Sequence, residues 1–536
     1  MLQIVFLLAL SALSDQRAPR PRIEVAQDGM TVVRQPQTHV LRARLSDRDT
    51  LSTTCAATDE PMGMAMPEAA AKRSFPVETH AATKITIVNA DQPGRGFNDP
   101  TPAQPIGGNP GTTLGEQRLN AFRYAAEIWE RAIETPVEIQ IMATFAPIRD
   151  RGECTETSGI LGAAGPFETV ADFPGAPKSG VVYPIALANS LTGRDLRLGN
   201  PDIDAFFNAD VDNDSCLGKR NWYYGLDGRS GEHVDLVVVL LHEFAHGLGM
   251  SGMMNVSTGQ FFGGKPGIFE THALDLVTGL RFDQLNAQQR KAAAISGTRT
   301  VWDGTATRQS ATQLLNISST LRVTGIAGSV SFAVNPASFG PRTDAVPVAG
   351  RIVAPTDAAD AEGPSTTDGC SAYTNPAEVA GRVALVDRGD CTFVTKALRA
   401  QEAGALAVLV ANHESCGPAP MGGTSTDVRI PALGITKSDG SAIRQQLALG
   451  PADGAVALDP SSRSGTDLAG FVRLYVPCEV EPGSSMYHWD VSTTPNLLME
   501  PSISEDLTHG LDLTIRQLID IGWTPTSPTG RRVLRR

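Results

Sequence analysis

The segment Val234-Asp-Leu-Val-Val-Val-Leu-Leu-His-Glu-Phe-Ala-His-Gly-Leu-Gly249 is an almost unbroken apolar run that carries two histidines and a glutamate near its end. Its length and its lack of internal turn residues predict a helix, and its apolar character on every side predicts that this helix is buried. His242 and His246 are four residues apart, so both imidazoles lie on one helix face and can point at a single ion. Glu243 projects close beside them, and the segment fits the HExxH pattern of a metal site.

The chemistry of this pattern follows from the properties of a zinc ion with three protein ligands. Such an ion keeps one coordination position for water, lowers the pKa of that water to about 7, and polarises a carbonyl group. Glu243 is then placed to take the proton from the zinc-activated water and deliver it to a leaving amine. The alternative is that these are ordinary core residues, but two imidazoles and a carboxylate are costly to bury without a partner. The pattern therefore predicts peptide-bond hydrolysis with Glu243 as general base.

Gly249 extends the motif to HExxHxxG, the form found in metzincin peptidases. A glycine at this position can adopt a positive φ and end the helix sharply, which lets the chain turn back across the metal. In most metzincins a third histidine follows three residues later, but that position is Gly252 in this sequence. The third ligand must therefore come from elsewhere in the chain.

Three later segments resemble leishmanolysin, a metzincin family in which the third histidine follows a long insertion. They are Tyr487-His-Trp-Asp490, Asn496-Leu-Leu-Met-Glu-Pro501 and Leu513-Thr-Ile-Arg-Gln-Leu-Ile-Asp-Ile-Gly-Trp523. The resemblance covers roughly residues 84–270 and 470–523. It implies one catalytic zinc held by His242, His246 and His488, with Glu243 as the catalytic base and Met499 as the turn methionine beneath the metal.

The rival for third ligand is Glu270, which lies 24 positions after His246 (270 minus 246). It would make a gluzincin-type site. That interpretation gives Gly249 and the segment from His488 to Met499 no purpose, so it ranks second.

The sequence around the apolar helix predicts a helix packed on a sheet. A strand is expected near Lys84–Asn89, and Thr113 and Glu116 have the spacing of a capping box at the start of a helix. The alternation from Val137 to Phe145 indicates a second strand with one buried face. We therefore expect an α+β fold whose metzincin-like catalytic domain occupies residues 84–335 and 466–536.

Between these two parts, the pattern changes to short Val- and Ala-rich strands separated by helices. Arg382–Asp387 and Ala405–Ala411 flank a helix that Gly404 ends, which predicts a βαβ unit. Val383-Ala-Leu-Val-Asp-Arg-Gly-Asp-Cys391, Met421-Gly-Gly423 and Ile430-Pro-Ala-Leu-Gly-Ile-Thr436 resemble the protease-associated (PA) domain. The resemblance implies a noncatalytic α/β insert at residues 336–465. Such an insert can loop out of a catalytic domain if its ends lie close together.

Residues 1–14 combine an apolar run with small residues at Ala12 and Ser14, which is the pattern of a signal peptide. Residues 15–83 show no sustained period and predict a prosegment or linker. Cys55 lies in this segment and is the odd one of seven cysteines. We hypothesise that it caps the zinc as a thiolate and keeps a zymogen inactive.

The cysteines predict disulfides rather than a cysteine–zinc site, because no CxxC pair is present. We expect Cys154 to pair with Cys216 and Cys370 with Cys391, although connectivity cannot be deduced from sequence alone. Disulfides and a signal peptide together predict a secreted or extracellular protein, with the cell envelope or periplasm as the alternative.

Charge and hydropathy exclude several classes of function. The formal net charge is -13 and the basic residues are scattered, so the chain has no electrostatic footprint for nucleic acid. No run after the first residues reaches about 18 apolar positions, so no membrane span is expected. Asp210, Asp212 and Asp214 alternate as calcium ligands do, but the glycine and glutamate of an EF-hand loop are not in place. Calcium is therefore the weaker cofactor prediction.

Taken together, the sequence predicts a secreted zinc metalloendopeptidase that acts on protein or peptide substrates. The alternative is a catalytically inactive secreted binding protein built on a peptidase scaffold. Intact histidines and an intact glutamate favour the enzyme.

Overall fold

The computed structural model of the protein describes residues 22–25, 30–34, 38–45, 51–58, 83–147, 154–343, 346–504 and 506–526. The predicted signal peptide at residues 1–14 lies outside these ranges. Within them, no helix combines the length and the apolar character that crossing a membrane requires. The helices in these ranges are α1 Leu114–Glu130, α2 Ile185–Thr192, α3 Leu236–Leu248, α4 Ala287–Ala294, α5 Thr305–Leu314, α6 Pro376–Val379, α7 Phe393–Glu402, α8 Lys437–Leu449 and α9 Thr514–Ile521.

A six-stranded sheet forms the frame of the region around α3. Its strands lie in the order Leu51–Thr58, Thr38–Leu45, Ser158–Pro166, Ile203–Asn208, Ile139–Ala146 and Ile85–Asn89. The last three strands are mutually parallel, whereas Ser158–Pro166 runs antiparallel to both of its neighbours. This arrangement confirms the mixed α and β character expected from the sequence.

Helices α1 and α3 pack together on this sheet through aromatic side chains. The ring of Phe122 on α1 contacts Phe207 on the sheet at 5.0 Å and Phe244 on α3 at 6.1 Å between centroids. The predicted capping box begins α1, because Thr113 accepts from the Glu116 N–H and the Glu116 carboxylate accepts from the Thr113 N–H. An amphipathic helix with a defined start thus covers one face of the sheet.

The N-terminal region contributes strands that the sequence analysis does not predict. Thr38–Leu45 pairs with Ser158–Pro166, and Leu51–Thr58 pairs with Thr38–Leu45. A second, antiparallel sheet has the order Arg22–Val25, Thr31–Arg34, Thr169–Ala171 and Val182–Pro184. Two of these pairings, Thr38–Leu45 with Ser158–Pro166 and Thr31–Arg34 with Thr169–Ala171, join segments more than a hundred residues apart, so no local period reveals them. The side chain of Cys55 lies outside the described part of the chain.

An eight-stranded sheet forms a separate layer with its own core. Its order is Gly328–Ala333, Ile317–Gly325, Asp453–Arg463, Val348–Val353, Val383–Asp387, Ala407–Ala411, Ala432–Ile435 and Asn335–Pro336. The strands from Val348–Val353 through Ala432–Ile435 are parallel, as the predicted βαβ unit requires. The sheet begins at Ile317, before the expected boundary of 336, because Ile317–Gly325 pairs with Asp453–Arg463. We call residues 317–463 the insert.

After the insert, the chain returns to the region around α3. Val472–Arg473 pairs with Thr300–Trp302, which also pairs with Ala273–Asp275, and the latter pairs with Leu280–Arg281. Three two-stranded sheets complete the described strands: Trp222–Tyr223 with Val234–Asp235, Met254–Asn255 with Gln260–Phe261, and Ile133–Glu134 with Thr524–Pro525. The residues on either side of the insert therefore share one core.

Among the described residues, two disulfides lie within single parts of the molecule and one joins the insert to the segment that follows it. Cys154 bonds to Cys216 and Cys370 bonds to Cys391, which confirms both predicted pairs. A third bond, which the sequence left open, joins Cys416 in the insert to Cys478 in the returning segment. Disulfides of this kind fit an oxidising compartment.

Candidate metal centre

Helix α3 places the histidine pair in the interior of the molecule. The side chain of Asp235 caps its start by accepting hydrogen bonds from the N–H groups of Val237 and Val238, at 2.9 and 3.3 Å. Every residue of α3 is buried. A helix that is apolar all round needs such a position, so the two imidazoles and the Glu243 carboxylate are carried into a desolvated environment.

Gly249 ends α3 in the way that the sequence predicts. Its φ is 135°, a conformation that side-chain-bearing residues rarely adopt, and its N–H bonds to the carbonyl of Ala245 at 3.0 Å. A Cβ atom at this position would also press against the side chain of Ile521 on α9. The chain therefore leaves the helix at Gly249, three residues after the second histidine.

Three histidines converge at one point. His242, His246 and His488 each offer one ring nitrogen, and these nitrogens all lie within 4.8 Å of one another. The ring centroids are 5.0 Å apart for His242 and His246, 5.3 Å for His242 and His488, and 4.9 Å for His246 and His488. Among the described residues, no other group of three His, Cys, Asp or Glu side chains meets this condition.

The other ring nitrogen of each histidine faces a backbone carbonyl. The Nδ1 atoms of His242, His246 and His488 lie 2.7, 2.7 and 2.8 Å from carbonyl oxygens, which belong to Leu498, Met250 and Ser484 respectively. Because a carbonyl can only accept, each Nδ1 carries a proton, and in the neutral form of each ring Nε2 is the nitrogen that can act as a ligand. This is the arrangement that orients histidines for a metal ion, and three neutral imidazoles are a donor set that suits zinc.

His488 reaches the cluster through backbone pairing with its neighbours. Its own carbonyl accepts from the Tyr475 N–H at 2.9 Å, and the next residue, Trp489, donates its N–H to the carbonyl of Met499 at 2.8 Å. Met499 is fully buried. Because the carbonyl of Leu498 holds the ring of His242, the turn at Met499 lies directly against the histidine cluster.

Glu243 is oriented by the strand Ser158–Pro166 of the six-stranded sheet. Its Oε2 accepts from the N–H of Ala164 at 2.8 Å, and its buried Oε1 has no hydrogen-bond partner among the described residues. Burial raises the pKa of the Glu243 carboxyl well above its ordinary value, and the hydrogen bond from Ala164 offsets part of that effect. A buried carboxylate with one unengaged oxygen is suited to exchange a proton with a molecule placed beside the histidines.

Glu270, the rival third ligand, is engaged elsewhere. Its Oε1 accepts from the N–H groups of Met253 and Met254 and from the hydroxyl of Tyr487, and its Oε2 accepts from the Gly267 N–H. It does not join the cluster of three ring nitrogens. The structure therefore brings together His242, His246 and His488, and leaves Glu270 out.

The acidic residues considered for calcium also lie apart from any described ligand group. The carboxylate of Asp212 accepts from Arg118 at 3.0 Å and from the hydroxyl of Tyr224 at 2.5 Å. A carboxylate held by a guanidinium and a phenol has its negative charge already compensated. The calcium interpretation gains no support from this arrangement.

Sequence reasoning missed the groups that orient the histidines and Glu243. The carbonyls of Met250, Ser484 and Leu498 and the N–H of Ala164 are backbone atoms, so no residue type marks them. Tyr487 stands directly before His488 in the sequence, and this adjacency is the one local signal for its role.

Comparison with known proteins identifies the insert. The family model of the PA domain matches residues 348–443. The chain is 34% identical over 101 residues to "Probable leucine aminopeptidase 2" of Aspergillus fumigatus, which is 18% of this chain and 20% of that protein. It is 44% identical over 71 residues to "Aminopeptidase YwaD" of Bacillus subtilis, which is 13% of this chain and 16% of that protein. The insert thus contains a PA domain.

A third relative shows how far these similarities reach. The chain is 37% identical over 86 residues, 14% of this chain and 9% of that protein, to human "ER degradation-enhancing alpha-mannosidase-like protein 3". The chain therefore spans a fifth or less of the length of each of these curated relatives. Because their names refer to both aminopeptidases and an α-mannosidase-like protein, the matches alone do not select a reaction for this chain.

Solved structures show weaker similarity. A zinc aminopeptidase from Bacillus subtilis is 23% identical, with 28% of this chain and 36% of that chain covered and a TM-score of 0.19. A subtilisin-like protease from Pseudoalteromonas sp. AS-11 is 13% identical, with 32% and 37% covered and a TM-score of 0.22. TM-scores this low carry no argument about the whole chain, and the resemblance to leishmanolysin stays a prediction.

Proposed function

We propose that this protein is a zinc-dependent metalloendopeptidase with a metzincin-like catalytic domain interrupted by a PA domain. One observation carries the proposal: three imidazoles converge within 4.8 Å while each Nδ1 faces a backbone carbonyl. Core histidines have no need of a common meeting point, whereas a zinc ion requires one. In this proposal His242, His246 and His488 hold the ion, and Met499 forms the base of the site.

Zinc bound there would polarise the scissile carbonyl and make a water molecule more acidic. The chain's own contribution is the proton transfer. Glu243 receives the proton of the attacking water on its unengaged Oε1 and passes it to the leaving amine nitrogen. The Ala164 N–H holds the other carboxylate oxygen, so the carboxyl group keeps one orientation during both transfers.

The experiment that tests this function compares wild type, Glu243→Ala and His488→Ala for zinc content and for cleavage of an internally quenched peptide blocked at both ends. We expect about one zinc per wild-type chain and measurable cleavage. Glu243→Ala should keep its zinc and lose at least about 100-fold in kcat, the usual size of a general-base contribution. His488→Ala should lose zinc.

Three outcomes would count against the proposal. Wild-type protein with zinc but no cleavage of blocked peptides favours the inactive binding protein. Cleavage only of peptides with a free N-terminus favours an aminopeptidase. Full zinc in His488→Ala removes the third ligand from the proposal.

We also propose that residues 15–83 act as a prosegment, with the chain exported after removal of residues 1–14. The groups of the proposed site are fully buried in the presence of the N-terminal strands; they are His242, Glu243, His246 and His488. The N-terminal strand Thr38–Leu45 pairs with Ser158–Pro166 and places His39 opposite Ala164, the residue that holds Glu243. The chain's own N-terminal strand therefore occupies the sheet edge beside the catalytic groups.

A protease site engineered between residues 59 and 82 tests this role after folding is complete. Cutting there and releasing the N-terminal strands should raise peptidase activity by about tenfold or more, because the strand edge beside Glu243 becomes available to an extended peptide. The control is the uncut protein, with zinc content measured for both. Equal activity before and after release would show that the segment is structural only.

A further inference from the structure

Glu270 and Tyr487 form a buried pair beside the histidine cluster. Glu270 is fully buried, and its two oxygens accept three backbone N–H groups and the Tyr487 hydroxyl, the last at 2.8 Å. The Tyr487 oxygen also accepts from the Met254 N–H at 3.1 Å. A hydrogen bond to a buried carboxylate is among the stronger kinds, so this pair fixes the side chains that form it.

The pair joins two segments that meet at the metal centre. Met253 and Met254 belong to the segment that follows α3 and its two histidines, where Met254 begins the short strand Met254–Asn255. Tyr487 directly precedes His488. The Glu270 carboxylate therefore connects the segment that follows α3, through Met253 and Met254, to the segment that carries His488, through Tyr487.

The side chains of Glu270 and Tyr487 occupy the space next to Gly252. Gly252 lies three residues after Gly249, where the shorter metzincin pattern has its third histidine. A Cβ atom at Gly252 would collide with the Glu270 carboxylate and with the Tyr487 ring. The space that a side chain at position 252 needs is thus filled by Glu270 and Tyr487.

We infer that Glu270 and Tyr487 are positioning residues that set the placement of His488 relative to the two histidines of α3. This inference rests on the proposed zinc site. Neither residue belongs to the group of three histidines that would hold the ion. They act by fixing the backbone at residues 487–488, whose displacement by about 1 Å is enough to disturb an assembled site.

Tyr487→Phe is the sharpest test, because it removes one hydroxyl and keeps the ring in the core. Glu270→Gln is the second variant and keeps the shape of the side chain. The matched control is Tyr224→Phe, which breaks another buried tyrosine–carboxylate bond, that to Asp212 at 2.5 Å. Tyr224 is bonded to Asp212 and Arg118 and not to the segment that carries His488.

The measurement is the zinc dissociation constant, obtained by competition with a chromophoric chelator, together with kcat and KM at several zinc concentrations. We expect Tyr487→Phe and Glu270→Gln to weaken zinc binding by about tenfold. This is the lower end of the loss in metal affinity that is usual when residues that orient metal ligands are substituted. Their kcat should return towards the wild-type value at saturating zinc with KM unchanged. Tyr224→Phe should change thermal stability but not zinc affinity.

Zinc affinity within about twofold of wild type in Tyr487→Phe would overturn the inference, as would an equal loss in Tyr224→Phe. If Glu270→Gln fails to fold, Tyr487→Phe decides the question alone. Failure of the wild-type protein to bind zinc is a different result, because it rejects the proposed function and not only the positioning role.

Discussion

His246 and His488 reach the same point by different routes. His246 shares a helix with His242, and its place is set by the geometry of one helical turn. His488 lies 242 positions further along the chain (488 minus 246), in the segment that follows the insert. The site therefore has a local half, formed by His242, Glu243 and His246 on α3. Its distant half is His488 with the segment that carries it, and the position of this half depends on contacts between distant parts of the chain.

This difference indicates which contacts of the metal centre are most sensitive to substitution. The local half is held by a capped helix whose residues are all buried. The distant half is held by backbone bonds from Tyr475 and Trp489, and by the disulfide that ties Cys478 to Cys416 in the insert. Changes in the insert should thus reach the metal through His488 before they affect the histidines of α3.

Breaking the Cys416–Cys478 bond tests the distant half and has the larger expected effect. In the chain-entropy description, a crosslink over 62 positions contributes about 4 kcal/mol to the free energy of unfolding. The double variant Cys416→Ser and Cys478→Ser should lose stability on this scale and bind zinc less tightly, because the segment before His488 loses its anchor. Denaturant unfolding and chelator competition measure the two effects.

The matched control is the double variant Cys370→Ser and Cys391→Ser, which removes a bond over 21 positions inside the insert. Its expected loss is about 3 kcal/mol, with zinc affinity unchanged. If both double variants weaken zinc binding equally, the insert acts on the metal through general stability. The specific link through Cys478 would then be wrong.

The same division explains what could be predicted from sequence. Helix α3 follows from its apolar run, and α1 from the capping box at Thr113 and Glu116. The strand Val383–Asp387 and helix α7 likewise follow from local patterns. Each of these features is fixed by residues within a few turns, so the sequence contains the whole signal.

The parts that the sequence did not predict depend on distant partners. The strand Thr38–Leu45 pairs with Ser158–Pro166, which lies over a hundred residues away along the chain. The insert starts earlier than expected because the pairing of Ile317–Gly325 with Asp453–Arg463 spans the insert's whole length. Pairing between segments so far apart leaves no signal in the local pattern of apolar and polar residues.

The candidate site divides in the same manner. The spacing of HExxH places His242, Glu243 and His246 on physical grounds alone, whereas His488 required resemblance to a known family. The carbonyls that hold the imidazoles come from Met250, on the chain next to α3, and from Ser484 and Leu498, far along the chain. Only folding brings these backbone groups to the ring nitrogens.

Substitution at Asp235 tests the local half and has the smaller expected effect. Asp235→Ala removes the acceptor for the N–H groups of Val237 and Val238, which should cost about 1 kcal/mol of unfolding free energy, the usual value of a helix cap. Zinc affinity should stay within about twofold of wild type, because burial of every residue of α3 keeps the helix in place after its cap is lost. Asn286→Ala, which removes the cap of α4, is the control for cap loss away from the metal. A larger drop in zinc affinity for Asp235→Ala than for the Cys416 and Cys478 variant would reverse the comparison, since the local half would then be the weaker one.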